Sequence, residues 1–540
     1  NVAFTGNGSS VTNAFTPAND GTFVFGTSGG TQTYNAGLTT TSVGSTVTLN
    51  GTIAASNDAI VLGAVTLGSA VTIDTNASAN SADLTIAAIT GGSNNLTLST
   101  GDNISGADIT ASGAISGLGN LTLADVGGTA TFSDSVAAAA LSADNTVANI
   151  SFTGGTNTFS AASTLANDGT LIFGNSTDDS FTFNGGLTTS SVAGTVTLNT
   201  SISSSNDAMV FGAITLGNNV TLDTNASSTT GDLTLGVVTG GSNTLTLSTG
   251  DNVANSDITA SGNISGVTTL TLADVGGTAT LSGDVDVTTL AVGNTVANVA
   301  IDGDGSTITN AVSFANDGTL VLGNATDDTL TFNGGLTTTS VGGTVTLEGT
   351  IDTSNDAVVL GAVTLGSNTL IDTNASDTAG DITIAAVTGG SNTLTLSMGN
   401  NVANTDITAS GAIGGVTTLT LQNVGGTATL SGDVDVTTLT VGNTVANVAF
   451  TGNGSSVTNA FTPANDGTFV FGASGGTQTY NGGLTTTSVG GTVTLNGTIA
   501  SSDDAITLGA VTLGSNVTID TNSTTTNRAD ITIAAVTGGS

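Results

Sequence analysis

The sequence predicts an all-β chain wound as a right-handed parallel β-helix. Composition, a long internal repeat and a shorter strand rhythm inside it carry that expectation. Of 540 residues, 77 are Gly, 2 are Pro, and none is Trp or Cys. Thr and Val favour strands, while Gly and Asn favour the turns between them. Long helices draw on Leu, Glu, Lys and Arg, yet Lys and Arg together number 1, and Glu348 is the only Glu. Charged residues make up 7% of the chain, against roughly 25% in ordinary globular proteins. With 37% hydrophobic residues, the chain lacks the disorder signature of low hydrophobicity with high charge.

The repeat orders everything else. Asn1-Val2-Ala3-Phe4 returns as Asn149-Ile150-Ser151-Phe152, as Asn298-Val299-Ala300-Ile301 and as Asn447-Val448-Ala449-Phe450, at steps of 148, 149 and 149 residues. Four solenoid segments follow: residues 1–148, 149–297, 298–446 and a partial fourth copy, 447–540. The chain opens at Asn1 and stops at Ser540 in mid-pattern, and the expectation is of a longer body with further copies.

Within the first copy, apolar strand starts fall at Phe23, Val47, Val71, Leu96, Leu121 and Ile150, and the next copy resumes at Leu171. That rhythm suggests about six coils per 149 residues, or about 22 coils in all. Four of the starts read as alternating strands: Val47-Thr48-Leu49, Val71-Thr72-Ile73, Leu96-Thr97-Leu98 and Leu121-Thr122-Leu123. Their apolar members are expected to point inward and Thr outward. Stacked coils would bury one another's apolar side chains, with neighbouring strands roughly 4.8 Å apart. Tandem sandwiches fit less well, since they bring Pro-rich junctions and a buried Trp or Tyr. A trimeric β-roll would need a motif such as Asn57-Asp58-Ala59-Ile60-Val61-Leu62-Gly63-Ala64 in every coil, and it occurs once per long repeat.

The segment Gly491-Thr492-Val493-Thr494-Leu495-Asn496-Gly497-Thr498-Ile499 recurs with small changes at 45–53, 194–202 and 343–351. In these Thr/Asn/Gly-rich strands and turns the chain resembles the passengers of bacterial type V secreted proteins, the filamentous-haemagglutinin-like adhesins and large autotransporter surface antigens. The resemblance spans the whole chain and rests on composition and strand rhythm. It implies an extracellular, bacterial cell-surface location and a structural or adhesive role. The secretion domain and outer-membrane barrel of that family do not occur in this stretch.

Charge narrows the functional classes. One basic residue, Arg528, faces 39 acidic ones, a formal net charge of −38. Nucleic-acid binding needs Lys and Arg to neutralise phosphates, and attraction to anionic lipid needs them too. Neither partner is expected. No apolar run approaches the length of a membrane-spanning helix, so no direct membrane insertion is expected. The absence of Cys removes disulfides and thiolate metal sites. With no His, Lys or Cys, the chain lacks the bases and cations that carbohydrate-active β-helices use, and it is expected not to be an enzyme. Arg528 has no counterpart at Ser81, Thr230 or Ala379.

Twelve Asp residues recur in register as candidate calcium ligands. Asp20, Asp168, Asp317 and Asp466 sit in Ala-Asn-Asp-Gly; Asp58, Asp207, Asp356 and Asp504 follow an Asn or Asp; Asp74, Asp223, Asp372 and Asp520 open Asp-Thr-Asn. Calcium favours carboxylate and carbonyl oxygens, whereas Asp and Asn also cap tight turns through their own backbone. The turn role is favoured, because Asp102 and Asp251 give way to Asn400, and Asp125 and Asp274 to Asn423. No other cofactor is implied.

The leading expectation is therefore a surface stalk or fibre segment, self-associating end to end or continuing into further copies, with contacts to cells or matrix. An ice- or mineral-binding face is the alternative. It would need Thr in one register along the coils, and Leu96-Thr97-Leu98-Ser99 and Ala130-Thr131-Phe132 do not supply a Thr-x-Thr pair. A carbohydrate-active β-helix is a third reading.

Overall fold

A computed structural model describes residues 1–78, 82–227, 231–376, 380–523 and 529–538. Arg528, its aligned positions Ser81, Thr230 and Ala379, and Ser540 lie outside these residues. The described chain is all-β, without a helix, and its parallel strands stack as a β-solenoid of about 24 turns. No helix of the described residues is long and apolar enough to cross a membrane. Two compact units are distinguished, Asn1–Ala279 and Thr280–Ser540. The division falls inside the second sequence copy, so the repeat is a unit of sequence rather than of packing.

Each coil of the first unit contributes to three ladders. Phe4 pairs with Phe25, Phe25 with Leu49 and Leu49 with Leu67. Val11 pairs with Tyr34 and Tyr34 with Ala55. Phe15 pairs with Leu38, Leu38 with Ile60 and Ile60 with Leu84. The alternation read in the sequence sets which side chains face in. Strand Val47–Ala55 begins buried at Val47, half-buried at Thr48 and buried at Leu49. Inward residues stack on their own kind: Ile73 on Leu98, and Leu98 on Leu123. Phe152 lies 5.0 Å from Phe132 and 6.0 Å from Phe173, ring centre to ring centre. Such buried stacking adds to the area that the core removes from water.

The coil is shorter than the strand starts suggest. Val47 pairs with Val65, whereas Val71 pairs with Gly51. The step from Val47 to Val71 is thus a turn and a third. The step from Leu121 to Ile150 is another, because Leu121 pairs with Leu141 and Ile150 with Ala130. The other four steps are single turns: Phe23 to Val47, Val71 to Leu96, Leu96 to Leu121 and Ile150 to Leu171. One copy therefore advances six and two-thirds turns, and 149 residues over that advance give about 22 residues per turn.

The fractional turn moves each copy onto a different face. Ile150 opens the second copy on the ladder that Phe15 began, not on the ladder of Val2 and Phe4. The second unit repeats the relation. Val448 opens the fourth copy on the ladder running from Val312 through Leu336, Val358, Ile382 and Ala428. Val299, which opens the third copy, stacks instead on Leu320 and Val345.

Candidate functional site

The twelve register-conserved Asp residues occupy three kinds of turn. In the Ala-Asn-Asp-Gly turns the Asp side chains are exposed. The neighbouring Asn does the structural work. Asn167, Asn316 and Asn465 are fully buried. The Asn167 Nδ2 faces the carbonyl oxygens of Ala148, Gly169 and Thr170 at 3.1, 3.1 and 3.0 Å. Asn465 repeats this with Ala446, Gly467 and Thr468 at 3.2, 3.1 and 3.0 Å. One amide thus ties a turn to the preceding coil. Sequence reading singled out the Asp of this motif and passed over the Asn, although both recur in all four copies.

Asp58, Asp207, Asp356 and Asp504 follow residues in the left-handed region: Asn57 at φ 66°, Asn206 at 70°, Asn355 at 74° and Asp503 at 63°. Here the Asp backbone matters. The Asp356 carbonyl accepts the Thr353 hydroxyl at 2.6 Å, and those of Asp207 and Asp504 accept Ser204 and Ser501.

Asp74, Asp223, Asp372 and Asp520 are the ones whose carboxylates are engaged. Each accepts the backbone N–H two residues on, at 2.9, 2.9, 2.9 and 2.8 Å. Ser99, Ser248 and Ser397 of the next coil donate to the first three at 3.1 Å. This is turn capping by side-chain acceptance. Asp125, Asp274 and Asn423 share a left-handed φ of 50°, 51° and 58°, a conformation Asp and Asn both tolerate. That explains why they interchange. Among the described residues no three carboxylates converge to hold a metal ion.

One acidic grouping belongs to the third copy alone. Asp302, Asp328 and Glu348 replace Thr5, Gly30 and Asn50 of the first copy. The Asp328 Oδ2 accepts the N–H groups of Asn324 and Ala325 at 2.6 and 2.9 Å. Burial, with the Asp328 charge second, holds the Asp302 carboxyl above its ordinary range. Glu348 is raised by burial and then by Asp328 and Asp302. At the equivalent positions the Asn50 and Asn199 amides donate to carbonyls of the coil below, at 3.2 and 2.7 Å. A carboxylate cannot make that bond.

The outer faces carry hydroxyl ladders. In the first unit one runs from Thr31 through Thr52, Thr72, Thr97 and Thr122 to Thr259, over eleven rungs that are all Thr except Ser142 and Val210. A Thr-x-Thr pair is not repeated along it: two residues on from Thr52, Thr72, Thr97 and Thr122 stand Ala54, Asp74, Ser99 and Ala124. No family model, curated protein or solved structure matches this chain.

Proposed function

We propose that this chain is a non-enzymatic structural and adhesive segment of an extracellular surface protein, a stalk or fibre built by iterating one repeat. The observation that supports it best is the joint between copies. Ala130 pairs with Ile150 where the first copy meets the second, and Ala428 pairs with Val448 where the third meets the fourth. Each joint is an ordinary rung, so copies add without a linker. Repeat bodies of this kind are stabilised by nearest-neighbour contacts and tolerate changes in copy number. The bacterial surface location rests on the likeness to type V passengers and on a chain without Cys. End-to-end association, or continuation into further copies, is the partner this reading implies.

Two experiments test it. Chains extended by one and two copies should lengthen by about 32 Å per copy in small-angle scattering, since six and two-thirds turns stack at roughly 4.8 Å each. A particle that grows equally in all directions would overturn the stalk. Antibodies against the chain should label intact cells of the source organism, and label confined to lysed cells would overturn the surface location.

A further inference from the structure

We propose that the ladder from Thr31 to Thr122 in the first unit is an ice-adsorbing face. Its rungs are consecutive and in register: Thr31 on Thr52, Thr52 on Thr72, Thr72 on Thr97 and Thr97 on Thr122. Parallel stacking spaces them at roughly 4.8 Å, close to the spacing of water molecules across a crystal face of ice. A single misplaced rung would break such a match, and none intervenes before Ser142. β-branched side chains hold few rotamers on a strand, so the hydroxyls and methyls are fixed in place. The hydroxyls of Thr52, Thr72 and Thr97 bond to no other described residue. Each remains able to donate and accept.

Charge complementarity selects the occupant. Although the chain carries −38 overall, the residues flanking these rungs are Ala54, Ser99, Ala124, Asn95 and Asn120, with Asp74 the one charge. An anionic partner is repelled by the molecule as a whole, and a cationic one is drawn to the Asp-bearing turns. A neutral face of hydroxyls and methyls suits a neutral lattice of water. An acidic mineral-binding array is not formed here, because Asp74 stacks between Ala54 and Ser99. The ladder loses its evenness beyond Thr122, where a depression lined by Ala124, Ser142, Asp144 and Thr164 opens and Ser142 donates to the Thr122 hydroxyl.

The test is uptake of the full chain, labelled at its N-terminus, into a slowly growing ice hemisphere, read beside thermal hysteresis. Wild type should concentrate in the ice and leave a hysteresis gap. T52K/T72K/T97K should be excluded like a non-adsorbing control protein, while S28K/S42K/S56K, with the same added charge on exposed turns, should behave as wild type. T52V/T72V/T97V keeps a β-branched side chain at each rung and removes only the hydroxyls, and it should also lose uptake. Exclusion of the wild type overturns the proposal. So does unchanged uptake by either threonine variant, or binding to crystalline polysaccharide without uptake into ice.

Discussion

At the scale of single residues, Asn and Asp divide the labour in a way their shared turn propensity hides. In Ala-Asn-Asp-Gly the buried amide of Asn167 meets three carbonyls, while Asp168 points to water. Asp168→Asn should therefore leave the unfolding midpoint unchanged. Asn167→Asp should lower stability by several kcal/mol, because a buried carboxylate would face carbonyl oxygens. Urea titration of both variants checks this, and calcium or chelator should move neither midpoint. The recurrence of these turns was legible in the sequence. Which of two adjacent polar residues faces inward was not, because a turn obeys no period of two.

The acidic grouping of the third copy makes a pH prediction. Asp302 and Glu348 titrate higher in the folded chain than in the unfolded one, so proton uptake favours folding. The stability they contribute is present at low pH and is lost as pH rises through their raised values. D302T/E348N should thus gain stability at neutral pH and gain little in acid. Denaturant midpoints measured across that range check the sign. An equal gain at both pH values would contradict it.

At the scale of strands, one Gly decides whether a corner is crossed in a single strand. Strands Val47–Ala55, Val345–Asp352 and Val493–Ser501 pass through Gly51, Gly349 and Gly497 at φ 64°, 70° and 65°. In the second copy Thr200 stands there, and two strands, Val196–Leu198 and Ile202–Ser204, replace one. In the first copy the Thr52 N–H donates to the Gly30 carbonyl at 2.8 Å. In the second, the Thr200 hydroxyl takes the matching carbonyl of Asp179. A Cβ on Gly51 would lie 2.3 Å from the Gly30 oxygen. Gly51→Ala should cost at least about 1 kcal/mol, beyond the strain of a left-handed φ. Strand interiors were readable from x-Thr-x alternation. Corners were not, since they depend on which coil lies beneath.

At the scale of the whole chain, the sequence shows its solenoid plainly but miscounts its turns. Val71, Leu96 and Leu121 do stack one turn apart, and they suggested a uniform coil near 25 residues. Val47 and Val71 look like the same position one coil apart, yet they lie on different faces. Three faces carry the same apolar-Thr-apolar pattern, so periodicity alone cannot say which strand covers which. The consequence is a repeat of six and two-thirds turns that presents each segment on a new face from one copy to the next.

Disulfide trapping tests that register directly, because the chain has no Cys of its own and each introduced pair reports one contact. Thr48 pairs with Thr66, whereas Thr72 pairs with Thr52, four residues further along the strand. Directly opposed residues on neighbouring strands lie within disulfide reach, and a pair displaced by four residues lies well beyond it. T48C/T66C should oxidise to a crosslinked chain under mild conditions, and T48C/T72C should stay reduced. Rapid crosslinking of T48C/T72C with none in T48C/T66C would contradict the winding.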